Sequence, residues 1–171
     1  LVLAVSSWLV ANSCNILDSN QFQDGSNNTF CMRVQFEGEA TLKALEHSFE
    51  PVAAGKQMSW QIWPCSQKPK VLIMVSKQEH CLTDLLFREK IGELPIEIAL
   101  VASNHLEAKP IAVAQNIDFR HLPIDPDSKA AQEKLLLEEI ERREINVVVL
   151  ARYMQILSPE FCHAMAGKII N

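Results

Sequence analysis

Apolar and polar positions at the start of the chain follow two different periods. Residues 1–11 are apolar except for a few small polar residues, which suits a helix that packs along one side. Residues 15–21 are typical of a strand, turn-forming residues follow at 24–28, and residues 30–36 alternate between apolar and polar positions. Residues 15–36 are therefore predicted to form a hairpin. Apolar residues then recur at helical spacing over 42–52, which predicts a second helix.

A strict alternation returns at Met58, Trp60 and Ile62, and it predicts a third strand. The order of elements is then helix, strand, strand, helix, strand. With one further strand expected before Leu1, this order is the βαββαβ arrangement of a ferredoxin-like domain. The sequence therefore predicts a ferredoxin-like domain over residues 1–63 whose first strand is missing.

A linker is expected at residues 64–69, which are bounded by prolines and follow neither the helical nor the strand period. A second domain is expected after it, over residues 70–171. Apolar runs alternate there with amphipathic helices. Strands are predicted at 70–75, 96–103, 119–124, 145–150 and 168–171, and helices at 81–91, 110–116, 128–144 and from 158 onward. Strands that alternate with helices predict a parallel, Rossmann-like α/β sheet with right-handed crossovers.

The longest predicted helix of this second domain carries additional signals. Asp127 or Ser128 is expected to cap its first turn. Two pairs of opposite charge, Glu138–Arg142 and Glu139–Arg143, have the favoured spacing and orientation, so both are expected to form ion pairs.

Composition and charge narrow the class of protein. The chain has 171 residues, of which 48% are hydrophobic and 22% charged, and this ordinary globular usage argues against disorder. A formal net charge of −5 without a basic run argues against nucleic acid or a membrane surface as a partner. Its apolar runs are far shorter than the roughly 20 residues of a membrane-spanning helix. Five scattered cysteines lack metal-ligand spacing, so we expect reduced thiols, no metal site and a cytoplasmic location.

Ligands of open parallel sheets bind beyond the carboxyl ends of the strands, and several polar residues fall there. The segment 76–80 joins a strand to a helix but contains no glycine, so it matches neither common phosphate-binding loop. Ser76 and His80 are candidates for ligand binding, although a role as ordinary loop and cap residues explains them as well. His105 follows another strand and is expected to be solvated.

The segment 151–157 also follows a buried strand, yet it is unusually apolar for a loop. Two interpretations stay open from the residues alone. The segment lines a slot for a flat organic ring, or Met154, Ile156 and Leu157 are the core contacts of the next helix.

Several motifs together carry a resemblance to a known family. They are the segments 71–77, 80–86, 92–95, 103–105 and 149–158. On these motifs the second domain resembles the formyltransferase-type domain of formyltetrahydrofolate deformylases, and residues 15–19 with 30–36 resemble the ACT domain of that family. The resemblance covers essentially the whole chain. It implies hydrolysis of 10-formyltetrahydrofolate to tetrahydrofolate and formate, without a cofactor, which supplies formate for purine synthesis and balances one-carbon pools.

Residue by residue, the resemblance implies that Asn171 is the first member of a catalytic Asn, His and Asp set. The other two members are expected after residue 171, because the chain looks like a fragment cut at both ends, and the fragment alone is expected to be inactive. The resemblance also assigns the segment that wraps the pterin ring, which corresponds here to Leu150, Met154, Gln155, Ile156 and Leu157.

The segment from Ser76 to His80 replaces the glycine-rich loop with which the related glycinamide ribonucleotide transformylases hold a substrate phosphate. This departure favours water over a nucleotide amine as the acceptor of the formyl group. Two alternatives stay open: formyl transfer to an amine, and a non-catalytic module that senses an amino acid. ACT domains commonly bind amino acids and pair their sheets, so the resemblance also implies an amino-acid effector and a homo-oligomer.

Overall fold

The computed structural model describes residues 1–123 and 128–171, which divide into two units, Leu1–Gln67 and Lys68–Asn171. Two details of the sequence predictions lie outside the described residues: residue 124 of the strand expected at 119–124, and Asp127 as a helix cap. The strand itself ends earlier than predicted, at His121.

The first unit consists of two helices and a hairpin. Its elements are α1 (Val2–Ala11), β1 (Asn15–Asp24), β2 (Thr29–Glu37) and α2 (Leu42–Ala54). The two strands pair antiparallel, as their alternation predicts. Helix α2 begins after Thr41, whose side chain accepts a hydrogen bond from the backbone N–H of Ala44.

The core of the first unit forms between its two helices and one face of the hairpin. The indole ring of Trp8 packs edge-on against the ring of Phe49, with 4.7 Å between the centroids. Its N–H donates a hydrogen bond to Ser48 Oγ at 2.9 Å, so the polar atom of this buried side chain is satisfied. Phe36 of β2 completes the contact from the hairpin.

The strand predicted at Met58, Trp60 and Ile62 is wrong, because these residues are not part of any strand. Their side chains do alternate between half-buried and exposed positions, and the apolar ones pack against the core of the unit. A strand requires a neighbour for its backbone hydrogen bonds, however, and the described sheet of this unit contains only β1 and β2. The unit is therefore consistent with part of the predicted ferredoxin-like arrangement.

The second unit is a five-stranded parallel sheet, as predicted. Its elements are β3 (Lys70–Val75), α3 (His80–Lys90), β4 (Glu97–Ser103), α4 (Lys109–Ala114), β5 (Phe119–His121), α5 (Lys129–Arg143), β6 (Val147–Ala151), α6 (Pro159–Ala164) and β7 (Ile169–Ile170). The strand order is β5-β4-β3-β6-β7, and every pair is parallel. The order reverses between β3 and β6, which is the position where such sheets bind ligands.

Strand β3 lies at the centre of this sheet and is covered on both faces, as its continuous apolar run predicts. Because successive side chains of a strand point to opposite faces, Leu72 and Met74 belong to one core cluster and Ile73 to the other. The first cluster includes Phe161 of α6, and the second includes Leu82 of α3.

One of the two ion pairs predicted on α5 forms, and the other does not. Arg143 Nε lies 2.8 Å from Glu139 Oε2, as predicted. Arg142 also pairs with Glu139, three residues away, so the predicted Glu138–Arg142 pair is wrong. Glu139 further receives Arg120 from β5, so its carboxylate pairs with three guanidinium groups, Arg142 among them. Ser128 occupies the predicted N-cap position of α5, but its side chain makes no capping hydrogen bond to the first turn, and its Oγ accepts one from Gln132 Nε2.

Candidate functional site

A cleft of about 830 Å³ lies in the second unit at the carboxyl ends of β6 and β7. The end of β6, residues 149–151, forms its floor, and the first turns of α3 form one wall. The loop 152–156 forms another side of the cleft, and Asn171, which follows β7, also lines it. The cleft therefore lies at the reversal of strand order, where ligands of this kind of sheet bind.

A buried serine connects three segments at this edge of the sheet. Ser76 Oγ donates a hydrogen bond to Asn104 Oδ1 at 2.8 Å and accepts one from the backbone N–H of Met154 at 3.0 Å. Ser76 follows β3, Asn104 follows β4 and Met154 follows β6, and both polar side chains are buried. Because the only hydroxyl proton of Ser76 is directed to Asn104, its evident role here is to hold the loop after β6 in place.

The loop after β6 begins with a strained residue. Arg152 has a φ of 55°, in the left-handed region that residues with a Cβ rarely adopt. Such a conformation costs on the order of 1–3 kcal/mol. Five other described residues share it, namely Ser13, Asn28, Gln57, Asn116 and Glu144. The turn brings the N–H of Arg152 to the carbonyl of Leu150 at 3.0 Å, and the chain then leaves β6 along the edge of the cleft.

The apolar side chains of this loop divide into two groups. Met154 is 71% exposed and Ile156 is 86% exposed, and both line the cleft. Leu157 is half-buried and packs against the core of the unit instead. The core-packing interpretation therefore holds for Leu157, whereas the ring-slot interpretation stays a prediction for Met154 and Ile156.

Helix α5 holds the far end of the loop through two hydrogen bonds. Lys129 Nζ donates to the carbonyl oxygen of Ile156 at 2.6 Å, and Glu133 Oε1 accepts from the N–H of Ser158 at 3.1 Å. Ser158 then caps α6 by accepting from the N–H of Phe161 at 3.1 Å. The conformation of the loop is therefore fixed by its contacts with the helix.

The environment beneath the loop is poorly hydrated. Burial raises the pKa of Tyr153, and the nearby carboxylate of Glu133 raises it further. Glu133 Oε2 is buried and has no hydrogen-bond partner among the residues that the structure describes. Tyr153 therefore stays a neutral phenol at physiological pH, next to a carboxylate that is only partly satisfied.

The structure brings together most of the residues that the sequence singles out. The cleft is lined by the predicted site residues His80, Leu150, Met154, Gln155, Ile156 and Asn171. Ser76 lines a smaller adjoining pocket, and Leu157 lines neither cavity. The catalytic and binding roles of these residues stay predictions.

Several residues at the two cavities were not predicted. Cys81, Asp84 and Leu85 line the cleft beside His80, in the first turns of α3. Helical spacing from His80 could have pointed to Asp84, because residues four apart lie on one side of a helix. Asn104 was recognisable only as an amide immediately after a strand.

The smaller pocket has a volume of about 270 Å³ and lies beside the cleft. Polar side chains that follow β3 and β4 line one part of it, namely Ser76, Lys77, Gln78, Asn104 and His105. The remaining lining residues, Arg152, Met154 and Gln155, also line the cleft, so the two cavities are adjacent.

Within residues 1–123 and 128–171, no three His, Cys, Asp or Glu side chains are grouped so that they could hold a metal ion. None of the helices in those two ranges combines the length and the apolar character needed to cross a membrane.

Comparisons with known proteins extend over both units. Residues 69–171 match the formyl transferase family. A formyltetrahydrofolate deformylase from Corynebacterium sp. (strain P-1) is 45% identical over 174 residues, which cover 100% of this chain and 61% of that protein. The crystal structure of a formyltetrahydrofolate deformylase from Burkholderia mallei superposes with a TM-score of 0.85 at 42% identity, covering 98% of this chain and 60% of the other.

A third comparison covers less of the chain. Glycinamide ribonucleotide transformylase 1 from Geobacillus kaustophilus superposes with a TM-score of 0.57 at 26% identity, covering 60% of this chain and 56% of its own. The chain spans about 60% of the length of the deformylases it matches.

Proposed function

The chain belongs to the formyl transferase family, because residues 69–171 match that family. From this premise we propose that the chain is part of an enzyme that hydrolyses 10-formyltetrahydrofolate to tetrahydrofolate and formate. The observation that carries the proposal is the extent of the similarity. The deformylase structure matches 98% of the chain, which includes both units, whereas the transformylase matches 60%. We therefore infer the reaction from the deformylases, which share both units with this chain, and that reaction is hydrolysis.

The cleft supports binding of the folate. Met154 and Ile156 present apolar surface to it, while their loop is held from behind by Lys129 and by the hydroxyl of Ser76. An exposed apolar surface on a fixed loop suits a flat heteroaromatic ring such as a pterin, because binding removes apolar area from water without the cost of ordering the loop.

Asn171, which also lines the cleft, supports the chemistry. Addition of water to the formyl carbon forms a C–O bond and places negative charge on the former carbonyl oxygen. The C–N bond then breaks, the folate nitrogen takes up a proton, and formate is released. The amide N–H of Asn171 is suited to stabilise the oxyanion, and one such donor contributes about 3 kcal/mol in comparable sites. That a His and an Asp complete this set stays a prediction from the resemblance.

The segment after β3 supports water as the acceptor. A loop that cradles a phosphate needs bare backbone N–H groups, and glycine provides them. Ser76, Lys77 and Gln78 stand in that segment and place their side chains at the smaller pocket. A nucleotide acceptor is therefore disfavoured at this position.

Formyl transfer to an amine is the second candidate, because the transformylase shares the fold of the second unit. The test uses the full-length protein with 10-formyltetrahydrofolate labelled at the formyl carbon, in the presence and absence of glycinamide ribonucleotide. We expect the label in formate at the same rate under both conditions. Label on the nucleotide, at a rate equal to or above formate release, would establish transfer in place of hydrolysis.

For the first unit we propose an ACT-type module that binds an amino acid and pairs with a second copy of the chain, in a cytoplasmic enzyme. Its support is the resemblance together with the antiparallel hairpin and two helices of the unit. Light scattering of the full-length protein tests the pairing. Melting temperatures measured with each amino acid in turn test the effector, and a chain that stays monomeric with no shift would contradict both parts.

A further inference from the structure

The smaller pocket beside the cleft has an unusual charge for this protein. The chain carries 21 acidic and 16 Lys or Arg residues, yet Lys77 and Arg152 line the pocket and none of its described lining residues is acidic. His105 also lines it, but Glu107 lies 4.0 Å from its Nδ1, so the charge argument rests on the other two residues. An acidic protein that keeps two cations and no carboxylate at one cavity has a site suited to an anion.

Arg152 is distinctive among the six arginines of the chain. The other five, Arg33, Arg88, Arg120, Arg142 and Arg143, each form an ion pair with a carboxylate. Arg152 has no such partner within the described ranges, and neither has Lys77. The backbone of Arg152 is also strained, as described above. Arg152 is exposed and lines both cavities, so a guanidinium without a counter-charge in the described ranges lies where the two cavities adjoin.

The amide of Asn104 adds a neutral donor to this set. Its Oδ1 already accepts the hydroxyl proton of Ser76, and its Nδ2 carries two N–H donors. Arginine and lysine side chains are donors only. The polar groups that converge here can therefore satisfy acceptors, and an oxyanion carries nothing but acceptors.

We propose that this pocket is a subsite for a small carboxylate, namely the formate that leaves the hydrolysed folate, held chiefly by Arg152 and Lys77. The assignment rests on the proposed function for the identity of the anion. The volume of about 270 Å³ leaves room for formate together with several water molecules. The shared residues place the pocket next to the cleft in which formate is released. The guanidinium group of arginine can donate two parallel hydrogen bonds to the two oxygens of a carboxylate, and the opposite charges strengthen both bonds.

The test is direct binding of sodium formate to the full-length protein without folate. Carbon-13 formate is titrated by NMR at an ionic strength kept constant with sodium chloride. We compare the native protein with Arg152→Gln, Lys77→Gln and a control, Lys90→Gln, which removes an exposed charge at the end of α3. We expect saturable binding by the native protein and by the control, weakened about tenfold or more by Arg152→Gln and several-fold by Lys77→Gln.

Three results would overturn the proposal: no saturable binding by the native protein, equal binding by all four proteins, or tighter binding of inorganic phosphate than of formate at the same ionic strength. Glutamine has the same Cβ as arginine, so Arg152→Gln adds no new strain at this positive φ. If Arg152→Gln does not fold, the loss of formate affinity in Lys77→Gln tests the proposal. Formate binding is measured without folate, so it does not depend on hydrolysis. A protein that binds formate but does not release formate from 10-formyltetrahydrofolate therefore refutes the proposed function. An active enzyme without this binding refutes the subsite alone.

Discussion

The hydroxyl of Ser76 donates to the side-chain carbonyl of Asn104 across 2.8 Å, although the two residues are 28 positions apart in the chain. Both are buried at the ends of adjacent parallel strands. The same hydroxyl accepts the N–H of Met154, so the position of the cleft loop depends on a contact between two other strands.

Replacing Ser76 with Ala tests this dependence. The substitution leaves Asn104 Oδ1 and the N–H of Met154 without their partner, and we expect the free energy of unfolding to fall by about 1–3 kcal/mol. Urea denaturation measures the change. Ser59→Ala, at an exposed position, is the control and should change stability by less than about 0.5 kcal/mol. Equal stability of both variants would show that the hydroxyl is dispensable.

Replacing Ile156 with Asp tests the folate-binding surface in the full-length protein. If this side chain covers the pterin ring, the variant places a charge against an apolar ligand, and we expect folate affinity to fall at least about tenfold. The control is Val113→Asp, an exposed apolar residue of α4 outside both cavities. Calorimetric titration with a reduced folate measures the affinity, and a folded Ile156→Asp variant with native affinity would contradict the assignment.

The pH dependence of stability has a specific source in Glu139. Hydrogen bonds from Arg143 and then Arg142 lower the pKa of this carboxyl to about 2 from its ordinary value of 4.5. Because the pKa is lower in the folded state, the stability that ionised Glu139 contributes to folding is fully present above pH 4.5. It is lost as the pH falls toward about 2. Thermal melts across this interval should therefore show a steep decline in the native protein.

The neighbouring residue provides a matched control for that decline. Glu139→Gln should flatten the profile between these pH values, whereas Glu138→Gln, one position away and exposed, should leave it unchanged. An identical decline in both variants would locate the acid sensitivity elsewhere.

Two substitutions of Glu133 separate its hydrogen bond from its charge. Glu133→Gln retains the acceptor for the N–H of Ser158 and removes a charge whose second oxygen is buried without a partner, so we expect equal or higher stability. Glu133→Ala removes the acceptor and should cost about 1–3 kcal/mol. Chemical denaturation of both variants measures these differences, and a Gln variant as unstable as the Ala variant would contradict the argument.

Much of the fold was predictable because it follows from local patterns. The apolar run of β3 predicted a strand buried on both faces, and both faces are covered. The alternation at Met58, Trp60 and Ile62 predicted the buried side correctly but not the absence of strand hydrogen bonds. A pattern of burial specifies which side chains face a core, whereas a strand also requires a partner, which the pattern does not contain.

The candidate site shows the same limit of local information. Composition marked the loop after β6 as unusually apolar, but the division between exposed Ile156 and half-buried Leu157 depends on the direction in which α5 holds the loop. Likewise, spacing predicted Glu139–Arg143 but could not show that Arg120, from another strand, also reaches Glu139. Contacts between distant segments decide both outcomes.

The strand order of the second unit has a consequence for synthesis on the ribosome. Strand β3 is made first but lies at the centre of the sheet, and Asn146, which accepts a hydrogen bond from the N–H of Lys70 just before β6, follows it by 76 residues. At about 5–20 residues per second, the nascent chain waits roughly 4–15 s between the two segments. One edge of an apolar strand is open to foreign partners throughout that interval, so the segment that unites the finished sheet is also the one that most needs a chaperone while it is translated.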